Sequence, residues 1–127
     1  MQIPGNQDYY LTHAWVNIAI GILMRNIGRT EFVIMKNGQR VGAGPVYSLF
    51  NQPNRALNRF DLWKETSAWW FLEGEAFWYF GDSYSGGIPD EIHILNPRRM
   101  TMRVEEGIVS RWFYSTDGDV IPILPDE

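Results

Sequence analysis

NRFDLWKETSAWWFLEGEAFWYF, residues 58–80, is the stretch that decides the fold. Asn58 is a plausible helix N-cap, and Asp61 places a carboxylate in the first turn, where the helix dipole favours negative charge. Gly74 ends the helix. Beyond Gly74 the apolar residues recur with period two, which predicts a strand over residues 75–80. The sequence therefore predicts a helix followed at once by a strand.

The predicted helix and strand are both apolar on two sides. At steps of about 100° per residue the helix carries two apolar stripes, although one core needs only one. The first stripe is Phe60, Trp63, Trp70 and Phe71, and the second is Leu62 and Trp69. Phe77 and Tyr79 form the second side of the strand. We expect Leu62, Trp69, Phe77 and Tyr79 to contact a neighbouring element, subunit or capsid partner.

Upstream of this stretch the sequence predicts a long helix. Asp8 can cap it, apolar residues at helical spacing continue it over residues 9–27, and Gly28 is a C-terminal stop. Because this helix is apolar around most of its girth, we expect it to be covered on more than one side.

Between the two helices the sequence predicts a hairpin and a short helix. Residues 31–36 are rich in strand-forming residues, Asn37-Gly38 is the favoured pair for a type I′ turn, and residues 39–41 form the return strand. Pro45 can begin a short helix, and residues 51–54, Asn-Gln-Pro-Asn, form a loop.

Downstream, the sequence predicts a flexible turn over residues 83–87 and then a series of short strands. The strands cover residues 91–95, 100–105, 108–114 and 120–124. Met100, Met102 and Val104 are predicted to point inward. Two main helices followed by a mostly antiparallel strand meander indicate an α+β fold. We expect one domain over residues 1–127, and the unfinished pattern near its end indicates a fragment of a longer protein.

Composition excludes several classes of function. The 127 residues carry a formal net charge of −4, whereas a domain that binds DNA by itself is usually basic. With no cysteine and two histidines, disulfides and cysteine-ligated metals are excluded, and we expect no metal and no cofactor. The sequence has neither a secretory signal nor an apolar run long enough for a membrane span, so no membrane partner is expected.

Catalytic motifs are scarce. The glycines at residues 42–44 lack the context of a phosphate-binding loop, and neither Ser83 nor Ser85 fits a nucleophile elbow. Adjacent carboxylates such as Asp90 and Glu91 point to opposite faces of a strand. We therefore predict no catalytic residues. A small hydrolase that uses Asp90 or Glu91 with His93 is a minor alternative.

The aromatic content is the outlier, with six Trp, six Tyr and seven Phe. These residues can form a core, a protein-facing surface, or a platform that stacks on sugars or bases. The third use makes an aromatic-rich carbohydrate-binding module the alternative function.

Arg98, Arg99 and Arg103 form the only local basic cluster. They can contact phosphate, or they can pair with Glu91, Glu105 or Glu106 on a solvated loop. The sequence leaves both uses open.

The order of these motifs resembles the N-terminal part of tailed-phage portal proteins of the HK97-like family. The resemblance covers residues 11–127. It rests on the apolar helix with Val-Asn-Ile-Ala at 16–19, the hairpin at 31–41, Val-Tyr-Ser-Leu-Phe-Asn-Gln-Pro-Asn at 46–54, Phe-Asp-Leu-Trp at 60–63, Gly-Glu-Ala-Phe-Trp at 74–78 and Ile-Leu-Asn-Pro-Arg-Arg-Met at 94–100. Glu75 departs from the family, which commonly has Asn there.

The resemblance implies a structural role at one capsid vertex, with host cytoplasm as the place of assembly. Portal proteins form a ring, usually of twelve subunits, that docks the terminase and tail adaptors, contacts capsid or scaffold protein, and passes double-stranded DNA. The part resembled here is the wing domain; clip, stem and crown would follow Glu127. Direct DNA binding by this part is not expected.

Overall fold

The computed structural model describes residues 13–81 and 84–123. Within these ranges the chain forms three α-helices, namely α1 (Ala14–Arg29), α2 (Pro45–Asn51) and α3 (Arg59–Glu73). The strands are β1 (Ile34–Lys36), β2 (Gln39–Val41), β3 (Phe77–Phe80), β4 (Tyr84–Ser85), β5 (Ile88–Pro89), β6 (Ile92–Leu95), β7 (Met100–Glu105), β8 (Ile108–Ser115) and β9 (Val120–Ile123). All described strand pairs are antiparallel. The α+β prediction is confirmed.

Helix α3 begins and ends where its caps predict. The Asn58 side chain accepts a hydrogen bond from the backbone N–H of Asp61 at 3.1 Å, which satisfies a donor that the helix itself leaves unpaired. At the other end Gly74 has a φ of 77°, and its N–H donates to the Trp70 carbonyl. This left-handed conformation favours glycine, so the predicted stop is confirmed.

Helix α1 does not end where the sequence predicts. Asp8 and residues 9–12 of the predicted helix lie outside the described residues. Gly28 is not the stop, since the helix runs to Arg29 and the N–H of Thr30 closes its last turn. Gly28 is buried instead, and a Cβ there would lie 2.9 Å from the backbone oxygen of Phe60. The absence of a side chain lets α1 approach α3 closely, a requirement that a helical pattern cannot distinguish from a stop.

The first hairpin and the loop before α3 are confirmed. Asn37 and Gly38 have φ angles of 52° and 76°, as the type I′ turn between β1 and β2 requires. The Pro53 carbonyl accepts a 2.8 Å hydrogen bond from the N–H of Ile92, and Asn54 Nδ2 donates to the Ile92 carbonyl at 2.8 Å. The loop therefore satisfies both backbone groups of Ile92 and fixes β6 beside it.

Strands β3 and β6 form the sheet that packs against α3. Phe77 lies opposite Leu95, and Tyr79 lies opposite His93. The turn predicted for residues 83–87 is present at Gly86 and Gly87, but residues 84–85 belong to β4, which forms a small hairpin with β5. Positive φ at both glycines allows this tight reversal. Ser83 lies outside the described residues.

Strands β7, β8 and β9 form a separate three-stranded meander. The predicted strand limits agree to within a residue, and Leu124 lies outside the described residues. The inward orientation predicted for β7 is wrong, since Met102 is 58% and Val104 50% exposed. Alternation along a strand shows that one side is apolar, but it does not show which segment covers that side.

The core lies between α2, α3 and the β3–β6 sheet. Leu49, Leu62 and Ile92 are buried, and partly buried apolar side chains from α2, β3, β5 and β6 pack around them. The core is small, because many of the large apolar side chains are exposed and do not pack in it.

Candidate functional site

An aromatic cluster centred on Trp63 joins α3 to its neighbours. The Phe32 ring stacks on Trp63 with a centroid distance of 4.0 Å, and the Trp78 ring meets Trp63 edge-on at 5.4 Å. Phe50 lies parallel to Trp63 at 6.2 Å. Trp78 Nε1 also donates to the Thr66 hydroxyl at 2.8 Å. These rings serve the core and do not form a flat exposed platform for sugars.

The predicted contact of Leu62 is made with neighbouring elements of its own chain and not with another subunit or a capsid partner. Leu62 is 0% exposed because it packs against Leu49 and Ile92 in the chain's own core. Parts of both apolar sides of α3 are covered internally, by α1 and by the β3–β6 sheet. Trp70 and Phe71 of the first stripe remain exposed, at 61% and 40%.

Trp69, Phe77 and Tyr79 are partly buried, and their predicted contacts with another subunit stay predictions. Phe77 meets Trp112 of β8 edge-on, with ring centroids 5.1 Å apart. Tyr79 lies on the same side of β3, beside His93. The second side of β3 thus faces the meander, and the expected two-sided contact of this strand is supplied by the same chain.

Helix α1 carries a row of exposed apolar side chains, and Trp15 is the most exposed large apolar residue among those that the structure describes. Trp15 is 84%, Ile18 51% and Ile22 49% exposed. The described structure covers α1 on the side that faces α3, so the expected cover on more than one side is incomplete. The sequence carried the signal, because these three residues share one side of a helical wheel.

The three clustered arginines each have an acidic partner. Arg98 Nε lies 2.9 Å from Glu73 Oε1, and Arg99 Nη2 lies 2.8 Å from Asp117 Oδ1. Arg103 Nε lies 3.3 Å from Glu105 Oε1, one of the partners that the sequence proposed. The arrangement favours solvated ion pairs, since phosphate would compete with these carboxylates.

A cavity between the 54–57 loop, α3 and β6 is lined by several titratable side chains. His93 Nε2 lies 2.9 Å from Glu91 Oε2, and Glu65 lines the same cavity of about 410 Å³. Burial raises the pKa of the Glu65 carboxyl above its ordinary value; Lys64 opposes this shift and Asp61 adds to it. The cavity thus brings together Glu91 and His93, two of the three residues named for the hydrolase alternative, whereas Asp90 is not among its described lining residues.

A larger groove lies between the β3–β6 sheet and strands β8 and β9. Its volume is about 550 Å³. It is lined by Tyr79, His93, Ile94, Leu95, Tyr114, Ile121 and Ile123. The groove is mainly apolar, and it includes one of the four residues predicted to meet a partner.

Neither a metal cluster nor a membrane-spanning helix is present among the described residues. Three or more His, Asp or Glu side chains do not come together there in a way that could hold a metal ion. Over the same ranges, α1, α2 and α3 are each too short or too polar to cross a bilayer.

One family model and one solved structure are similar to this chain. The family described as phage portal protein matches residues 14–127. A solved chain from the neck of an empty GTA particle, computed with C6 symmetry, superimposes with a TM-score of 0.80 at 16% identity. The superposition covers 93% of this chain, which spans 31% of that chain's length. A search of curated proteins finds no match.

These findings confirm the resemblance drawn from the sequence and give no support to a carbohydrate-binding module. The family match extends from the first helix to the end of the chain, and the solved neck chain has the same fold. This protein belongs to the phage portal protein family.

Proposed function

We propose that this chain is the wing domain of a portal subunit, a non-enzymatic structural protein. The subunits assemble into a ring at one vertex of the capsid, and double-stranded DNA is packaged and ejected through the ring. The observation that carries the proposal is the family match over residues 14–127, together with the fold shared with a particle neck chain.

The surface of the domain supports a role in protein contacts. Trp15 and Trp70 are the most exposed of the described tryptophans, and tryptophan is enriched among residues that dominate binding energy at interfaces. The net charge of −4 disfavours tight binding of DNA. In this proposal DNA passes through the ring without being held by the wing, and Arg98, Arg99 and Arg103 stabilise the fold through their ion pairs.

The remaining partners are proposed for the complete portal subunit. The ring has about twelve subunits by analogy with the family that the sequence resembles. It contacts capsid or scaffold protein inside the host cytoplasm during assembly, and later the terminase and tail adaptor. No ATP hydrolysis is expected from this chain, because the described cavities lack the parts of a nucleotide site.

Immunoelectron microscopy tests the proposal. Gold-labelled antibody raised against this chain should mark one vertex of each particle opened by mild disruption, and rings of uniform size should be released with it. A matched antibody against the major capsid protein should label the whole shell. Label spread over the shell, confined to tail fibres, or absent from particles would contradict the proposal.

A further inference from the structure

The exposed stripe of α1 has the spacing of a helix that docks into a groove. Trp15, Ile18 and Ile22 stand at positions i, i+3 and i+7, the spacing by which an amphipathic helix places anchors into an apolar groove. At about 100° per residue they fall within an arc of about 60°, centred about 100° from the side that carries buried Gly21 and Gly28. Because these three side chains are exposed while α1 packs on α3, the stripe can be occupied without separating the two helices.

The groove between β6 and β9 has matching dimensions. Its volume of about 550 Å³ accommodates more than one large side chain. Residues 15–22 of a helix extend about 10 Å, and the four residues of β9 along the groove extend about 13 Å. Tyr114 and Ile121 offer ring and aliphatic surface to the entering side chains, and Ile121 is 48% exposed.

The charges around the two surfaces are opposite. Residues 13–60 carry six Lys and Arg side chains and one acidic side chain, and Arg25 and Arg29 extend the stripe toward the end of α1. Residues 73–95 carry five acidic side chains and neither Lys nor Arg. Asp119 stands at the turn that leads into β9, beside Asp117, which pairs with Arg99 of the same chain. Pairing two α1 stripes would bring like charges together, whereas pairing a stripe with a groove brings opposite charges together.

We propose that the α1 stripe of one copy of this chain docks into the β6–β9 groove of a second copy. The two surfaces differ, so the contact is head-to-tail and each copy offers both halves, which is the arrangement that generates a closed ring or a filament. This inference rests on the proposed function and deepens it by naming the surfaces through which neighbouring domains meet.

Disulfide cross-linking tests the pairing directly, because the native chain has no cysteine. The single variants Ile18→Cys and Ile121→Cys are purified separately, mixed and oxidised. We expect the mixture to give a covalent dimer in at least tenfold higher yield than either variant alone. Leu23→Cys, at 46% exposure on α1 but outside the stripe, is the matched control and should give no such increase with Ile121→Cys.

Three results would overturn the proposal. Dimers of Ile18→Cys alone in the highest yield would show that two stripes pair with each other. An internal disulfide in the double variant at high dilution would show that the stripe meets the groove of its own chain. A yield no higher than that of the Leu23→Cys control would show that the two surfaces do not meet.

Charge reversal supplies a readout independent of the cysteines' own packing. Arg25→Glu with Arg29→Glu should lower the cross-linking yield severalfold, and Asp119→Lys in the partner should restore part of it. Unchanged yields in both mixtures would contradict the charge argument. Circular dichroism of each variant confirms that it is folded.

The two proposals fail in distinguishable ways. If antibody marks one vertex but the cross-link is absent, the docking surfaces are wrong and the portal function stands. If the cross-link forms but the vertex is unlabelled, the contact is real and the portal function is wrong.

Discussion

Helices α1 and α3 carry the same kind of apolar surface but are covered differently. Leu62 of α3 is fully buried, whereas Trp15 of α1 is 84% exposed, although both residues belong to apolar stripes of their helices. The second side of α3 meets the β3–β6 sheet of the same chain. Apolar residues around most of a helix therefore show that it must be buried on two sides. They do not show whether the burying surface belongs to the same chain.

The largest expected effect separates the two helices by stability. Leu62→Ala should lower the free energy of unfolding by about 2–5 kcal/mol, because it leaves a cavity in the core. Ile22→Ala on the exposed stripe should change it by less than about 0.5 kcal/mol. Urea unfolding of the isolated domain measures both. Equal losses would mean that the two stripes are covered alike.

The close approach of α1 to α3 gives the next largest effect. Gly28→Ala should destabilise the chain by about 1–3 kcal/mol, because the added Cβ would lie 2.9 Å from the Phe60 carbonyl oxygen. Gly42→Ala is the control, since a Cβ there meets open space. Thermal unfolding followed by circular dichroism compares them. An unchanged melting temperature for Gly28→Ala would show that the helices can separate without cost.

A smaller effect concerns the N-cap of α3. Asn58→Ala should lower stability by about 1 kcal/mol, because the N–H of Asp61 loses its side-chain acceptor. Asn58→Asp keeps an acceptor and should keep most of the stability. If both variants unfold at the same urea concentration, the cap hydrogen bond does not contribute.

The sequence was most informative where a signal is local. Asn58, Gly74 and the Asn37-Gly38 pair set backbone geometry within a few residues, and the structure confirms each of them. The predicted subunit contact of Leu62 and the predicted inward orientation of Met102 were wrong, because the burial of each residue depends on segments far along the chain. Periodicity reports which residues share a side, while burial depends on what packs against that side.

In the candidate site, too, the sequence predicted the local features and not the contacts between distant segments. The family was recognisable from short motifs in order, and the family match confirms it. The spacing of Trp15, Ile18 and Ile22 was visible in the sequence. The groove that includes Tyr79 was not, since strands distant in sequence build it. The sequence also could not identify the acidic partners of Arg98 and Arg99. These partners are Glu73 at the end of α3 and Asp117 in the β8–β9 turn.

The smallest expected effect is a pH dependence on the side of α3 that its own chain covers. Because burial raises the pKa of Glu65, this group favours folding most at pH below its unfolded pKa, and its contribution is lost as pH rises through the folded pKa. Glu65→Gln should therefore raise the melting temperature slightly at pH 7 and leave it nearly unchanged at pH 4. A variant less stable than the native chain at pH 7 would contradict the direction of this shift.

A cryo-electron microscopy structure of the assembled ring tests the central claim most directly, through the environment of Trp15. The account predicts that Trp15, with Ile18 and Ile22, is enclosed against Tyr114 and Ile121 of the adjacent copy, while Leu62 stays in its own core. A ring in which Trp15 faces solvent, or is enclosed by its own subunit, would contradict it.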